Sequence, residues 1–134
     1  MEKKKRYSDY NTYLRQLFGQ RVQKISIDAG LSCPNRDGSL SYEGCIYCNL
    51  KGSGSGMFAR GVSIKEQIEK GKIGMIKKYK AKKFLAYFQS YTNTYTSYDH
   101  MRQMFNEVFS CEDVVGMAIG TRPDCIDEQK LDLI

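Results

Sequence analysis

Three of the five cysteines fall in one short stretch, "CPNRDGSLSYEGCIYC", with the spacing Cys33-x11-Cys45-x2-Cys48. Two cysteines separated by two residues form a chelate for a tetrahedral metal ion or an iron–sulfur cluster. A third thiol upstream reaches them if the loop folds back, and Gly38 and Gly44 give the backbone that freedom. Spacing alone leaves three readings open. The thiols are idle or merely buried. They bind a structural zinc, which needs a fourth ligand from His100, Cys111 or Cys125 and lacks a second C-x2-C knuckle. Or they hold a [4Fe–4S] cluster by three of its irons and leave one iron open for a substrate or cofactor.

Such a loop needs a scaffold, and the flanking patterns supply one. "YNTYLRQLFG" puts Tyr10, Leu14, Leu17 and Phe18 on one helical face, with Gly19 as a stop. "RVQKISIDAG" reads as a strand built on Val22, Ile25 and Ile27 and ended by Gly30. After the cysteine loop, Ser63 and Glu66 form a capping-box pattern that opens a helix with Ile64, Ile68, Met75 and Tyr79 on one face. Gly71 and Gly74 predict a break in that helix near "KGKIG". "KFLAYFQS" is a second strand and "SYDHMRQMFNEVFS" a helix with Tyr98, Met101, Phe105 and Val108 in register. "DVVGMAIG" is a third strand, and Asp127 caps a last helical pattern.

Strands alternating with helices imply an α/β fold of parallel strands joined by crossover helices. In such folds chemistry collects at the C-terminal ends of the strands. The cysteine loop, "QSYTNTY" and "GTRPDC" all fall at those ends. The pattern divides into an N-terminal helical extension over 1–20 and the first βα units over 21–134, with the cysteine loop at 31–50. The sequence stops inside a helix pattern, and three strands leave a parallel edge open. The expectation is the N-terminal part of a longer protein, or a chain completed by another.

At 134 residues the chain can bury one modest core. With 41% hydrophobic and 27% charged residues it has globular composition, not that of a disordered chain. Lysine and arginine number 21 against 15 acids, a net charge of +6, which is compatible with a polyanionic partner. "MEKKKRYSDYNTY" lacks the apolar run of a signal peptide, and no apolar window approaches the roughly 18 residues of a membrane span. The expected location is the reducing cytoplasm, where clustered cysteines are ligands or catalysts rather than disulfides.

The segments "YLRQLFGQRVQKISIDAG", "CPNRDG", "GCIYC", "GSGMFARG" and "GTRPDC" together give the chain a resemblance to a known family. It resembles the radical S-adenosylmethionine (SAM) superfamily, in its YtqA/YhcC-type subgroup, related to the elongator-like and methylthiotransferase branches. The resemblance implies the N-terminal part of a partial (β/α)6 TIM-like barrel. It implies that Cys33, Cys45 and Cys48 hold a [4Fe–4S] cluster, whose fourth iron is chelated by SAM. Reductive cleavage of SAM then forms a 5′-deoxyadenosyl radical that abstracts hydrogen from a substrate. Tyr47 fills the aromatic slot that the family places near the adenine. The chain departs from the common C-x3-C-x2-C spacing, as its subgroup does. The usual Gly-Gly-Glu stretch is replaced by "FQSYTNTY", where Gln89, Ser90 and Thr92 offer polar contacts to SAM. A reductant such as flavodoxin or ferredoxin is implied as a partner, and tRNA as a substrate.

Several residues carry two readings each. Arg122 forks on the SAM carboxylate or a substrate phosphate, or pairs with Asp124 or Asp28. "GSGSGMFARG" is a loop that folds near the cofactor, or a plain linker. Lys70, Lys72, Lys77, Lys78, Lys80, Lys82 and Lys83 contact an RNA backbone, or form a solvated face. Lys3, Lys4, Lys5 and Arg6 form a frayed basic arm. Tyr91 and Tyr95 line the pocket or simply pack. His100 and Cys111 read as structural, and Cys125 as structural or catalytic.

Overall fold

The alternation of apolar residues at 25, 27, 84, 86 and 88 selects extended backbone with one dry face, and a three-stranded sheet results. The computed structural model describes residues 5–134; Lys3 and Lys4 of the basic arm lie outside them. Strands β1 (Val22–Ile27), β2 (Lys83–Phe88) and β3 (Val114–Ile119) pair in parallel in the order β1-β2-β3, with an irregularity in the β2–β3 register between Phe84 and Leu85.

Helices α2 (Ile64–Tyr79) and α3 (Tyr98–Phe109) supply the crossovers. Both pack apolar residues against the same sheet face, while Ile73 and Ile76 of α2 and Phe109 of α3 stay exposed. Ile64 and Ile68 of α2 and Met101, Met104, Phe105 and Val108 of α3 join Ile25, Ile27, Phe84, Ala86 and Phe88 in one core. The capping box of α2 is formed in both directions, Ser63 Oγ accepting from the Glu66 N–H and Glu66 accepting from the Ser63 N–H. Two reversals of expectation concern helices. Helix α2 runs unbroken through "KGKIG", and Gly71 lets it pack closely on β1: a Cβ there would sit 2.4 Å from Cγ2 of Ile25. Helix α1 (Tyr10–Phe18) buries Leu14 and partly Phe18, but leaves Tyr10 and Leu17 exposed.

Among the described residues the opposite sheet face carries no crossover helix. At the strand starts, Leu14 and Phe18 of α1 cover it, packing on Val22, Leu85 and Val115. Further up, the Lys24 ammonium lies 4.2 Å from the centre of the Tyr87 ring. A short helix α4 (Glu128–Leu133) closes the described chain, capped by Asp127 as the sequence predicts. Among the described residues no helix is long and apolar enough to cross a membrane.

Candidate metal centre

The loop between β1 and α2 makes its shape from local turns. The Cys33 carbonyl accepts from the N–H groups of Arg36 and Asp37, and the Cys45 carbonyl accepts from Cys48 N–H at 2.9 Å. A bond from Gly44 N–H to the Asn35 carbonyl, also 2.9 Å, folds the second half of the loop onto the first. Gly44 has φ of 75°, and a Cβ there would come within 3.0 Å of the Arg36 guanidinium. The positive φ is what favours glycine here, and the Arg36 side chain lies close against it. Two longer ties fasten the loop to the end of β2: Thr92 N–H to the Ser32 carbonyl and Tyr91 N–H to the Gly52 carbonyl.

The consequence is convergence. Cys33, Cys45 and Cys48 line one cavity of about 210 Å³, together with Tyr47, Gln89, Thr92 and Arg122. The cavity lies beyond the C-terminal ends of β2 and β3, since Gln89 follows β2 directly and Arg122 follows β3. All five cysteines are free thiols. Cys111 and Cys125 are buried elsewhere, and His100 sits exposed in the first turn of α3; none of them lines this cavity.

The surroundings favour a thiolate at Cys45. The Tyr47 hydroxyl and the Asn35 amide beside it hold its thiol below the ordinary value, with Arg122 and Arg36 adding positive charge. Of the two neighbours, Asn35 is the one in hydrogen-bonding geometry, donating from Nδ2 to the sulfur at 3.3 Å. Burial acts the other way at Cys111 and Cys125 and pushes both thiols up. Thiolates are the ligand form of cysteine, so Cys45 differs from Cys111 and Cys125 in the property that matters. Among the described residues no three His, Cys, Asp or Glu side chains gather at the spacing of a single ion. Three thiols on one cavity are a donor set that suits either a [4Fe–4S] cluster or a zinc ion completed by a fourth ligand.

Other predicted residues are placed as follows. Arg122 lines the cavity, but its guanidinium forks onto Asp124, with Nε to Oδ1 at 2.9 Å and Nη2 to Oδ2 at 2.7 Å. That pairing holds the Asp124 carboxyl at about 2. Ser90 is 1% exposed and does not line the thiol cavity. It lies under the glycine-rich stretch, where a Cβ on Gly54 would fall 1.8 Å from its hydroxyl oxygen, and that hydroxyl has no hydrogen-bond partner. The glycine-rich stretch is thus packed down rather than free. Gly52 is buried against the Tyr91 ring, and the Tyr91 hydroxyl donates to the Leu50 carbonyl. Tyr91 lines the thiol cavity; Tyr95 lies apart from it, with its hydroxyl 3.0 Å from that of Ser39.

Three positions that shape the site escape the sequence patterns. Arg36 donates to the carbonyls of Cys48 and Asn49 and lies 5.7 Å from the centre of the Tyr91 ring, bracing the loop from within. Asn35 bonds the Cys45 sulfur. Asn93, fully buried, donates from one amide nitrogen to the carbonyls of Phe88 and Gly120, joining the ends of β2 and β3. The signal for the first two is their place directly after Cys33-Pro34, inside the loop that must carry the ligands.

Known proteins similar to the chain cover nearly all of it. It is 40% identical over 130 residues to the uncharacterized protein YtqA of Bacillus subtilis, which takes in 97% of this chain and 40% of that protein. It is 38% identical over 121 residues to protein YhcC of Escherichia coli K12, 90% of this chain and 38% of YhcC. It is 35% identical over 130 residues to the uncharacterized protein MJ0486 of Methanocaldococcus jannaschii, 96% of this chain and 39% of that protein. No family model and no solved structure matches. The chain is therefore similar over most of its length to proteins from three distinct organisms, and it spans about two fifths of the length of each.

Proposed function

We propose that this chain is part of a radical SAM enzyme, with Cys33, Cys45 and Cys48 as the three protein ligands of a [4Fe–4S] cluster. The observation that carries the reading is the convergence of these thiols on one cavity beyond the C-terminal ends of parallel strands. The sequential strand order, with both crossover helices on one face, supports a partial (β/α)6 barrel. When bound, the cluster and SAM supply a 5′-deoxyadenosyl radical through reductive cleavage of SAM.

The chain's own residues bind and orient. Asn35 donates to the Cys45 sulfur and steadies its negative charge. Arg36 fixes the turn carrying Cys48 through two main-chain carbonyls. Gln89 and Thr92 present polar side chains on the cavity wall for the amino-acid end of SAM, and Tyr47, 85% exposed, offers a ring at the rim for the adenine. Arg122 reaches an incoming carboxylate only by sharing or leaving its bond to Asp124. Ser90 joins only if the stretch around Gly54 lifts. The proposed substrate is a nucleoside in tRNA, with flavodoxin or ferredoxin as reductant and the cytoplasm as location. The lysines of α2 and its exit supply positive charge, but Lys72 is buried beside Glu69 and Lys83 pairs with Asp113.

Anaerobic reconstitution tests the reading. About four irons per chain, absorbance near roughly 400 nm and SAM cleavage on dithionite reduction are expected. Alanine at Cys33, Cys45 or Cys48 should abolish cluster assembly, whereas Cys111→Ala should not. One tightly held zinc without iron uptake would replace this reading by a zinc-stabilised, non-catalytic nucleic-acid-binding module. Comparing tRNA nucleosides of a deletion strain with wild type checks the substrate; an unchanged profile counts against it.

A further inference from the structure

A second cavity of about 610 Å³ opens beside the thiol cavity, between the end of β1 and the 3-10 turn Phe58–Arg60. Its volume lies within the span of about 300–1,000 Å³ common to small-molecule sites. Three cations line it, Arg36, Lys51 and Arg60, against one acid, Asp28. Asp28 is spent on structure. Its Oδ1 accepts from Gly30 N–H at 3.1 Å, and its main-chain N–H and carbonyl are both held by the Gln67 side chain at 2.8 Å. Arg36 is occupied with loop carbonyls. Lys51 and Arg60 differ from both: among the described residues neither forms an ion pair, and both are exposed.

The rest of the wall is mostly apolar, with Leu31, Leu50, Phe58 and Ala59 among its residues. The Phe58 ring lies directly over Gly30, where a Cβ would come within 2.1 Å of it, so the absence of a side chain at 30 seats the ring. Phe58 remains half exposed toward the cavity, and Leu50 stands at the rim. Two uncommitted cations call for an anion of more than one charge, and an open aromatic face calls for a planar body. We infer that this cavity binds a phosphorylated nucleoside, its phosphate held by Lys51 and Arg60 and its base set against Phe58. The inference needs nothing from the thiols, so it stands or falls apart from the cluster reading.

The test is a titration of the isotope-labelled full chain, without iron, with AMP, followed by amide chemical shifts. Saturable binding is expected, with shifts at Gly30, Lys51, Phe58 and Arg60. Lys51→Ala/Arg60→Ala should weaken AMP by at least about tenfold, the scale of one lost hydrogen bond to a charged group. Phe58→Ala should weaken AMP while leaving pyrophosphate binding unchanged, which separates the stacking role from the charge. Lys70→Ala/Lys82→Ala, which removes two exposed lysines away from the cavity, should change nothing. A 5′-phosphorylated RNA trinucleotide run in parallel tells a free nucleotide from one carried in a strand, the tighter binder naming the source. No saturable binding of either ligand up to about 5 mM, a concentration above typical small-ligand affinities, overturns the inference. So does a Lys51→Ala/Arg60→Ala chain that keeps its fold and binds AMP as well as the parent.

Discussion

Alanine at Gly71 and alanine at Gly74 should move the stability of this chain in opposite directions, although the two sites lie three residues apart in one helix. Each substitution gains about 1 kcal/mol of helix propensity. At Gly74 a Cβ would meet nothing within 4 Å, so the gain stands. Unfolding entropy of about 2.1 cal/mol/K per residue, over this chain length, converts 1 kcal/mol into a rise in Tm of roughly 3–4 °C. At Gly71 the new Cβ would fall 2.4 Å from Cγ2 of Ile25. Ile25 is buried, and its branched side chain has little rotamer freedom with which to yield. Overpacking of this kind costs about 1–3 kcal/mol. Net of propensity, Gly71→Ala should lose up to about 2 kcal/mol, or roughly 7 °C in Tm. Thermal unfolding followed by far-ultraviolet circular dichroism reads both variants. A Gly71→Ala chain melting as high as Gly74→Ala would refute the claim that α2 touches β1 at that glycine.

Asn93→Ala removes one of two hydrogen bonds at each of the Phe88 and Gly120 carbonyls, which keep their main-chain donors, and should cost about 1–3 kcal/mol in urea unfolding; an unchanged midpoint would remove Asn93 as the tie between the strand ends. In the iron-free chain at neutral pH, iodoacetamide should modify Cys45 faster than Cys111, because Tyr47 and Asn35 lower the first thiol and burial raises the second. Peptide mass mapping over time reads the order, and equal rates would contradict it. The Asp124 carboxyl, held at about 2 by Arg122, should stabilise the fold fully above its ordinary value of 3.8 and lose that contribution as pH falls toward 2. Arg122→Ala should return the carboxyl to the ordinary range in an NMR titration; a value that stays near 2 would assign the shift to another cause.

The scaffold was legible because burial imposes a period. Ile25 and Ile27, Phe84, Ala86 and Phe88, and Met101, Phe105 and Val108 all announce their elements and prove to form one core. The gathering of three cysteines was legible from spacing, and their position at the strand ends from the alternation of strands and helices. What escaped depends on contacts between distant segments. Gly71 reads as a weakness in a helix until Ile25 is seen against it. Tyr10 and Leu17 share a helical face with Leu14, yet α1 meets the sheet along a narrower stripe. Arg36 spends its guanidinium on main-chain carbonyls, which no side-chain pattern reports. Arg122 had a bound anion, Asp124 and Asp28 as candidate partners, and Asp124, two residues away, holds it here.

The side of the sheet away from the crossover helices has a floor where Leu14 and Phe18 of α1 sit on Val22, Leu85 and Val115. A traveller along β2 on that side passes from a dry base at Leu85, through the cation-capped ring of Tyr87, to the polar wall at Gln89. Along a strand about 20 Å long, side-chain changes at the lower end therefore act on packing, whereas changes just past its upper end act on the wall of the thiol cavity.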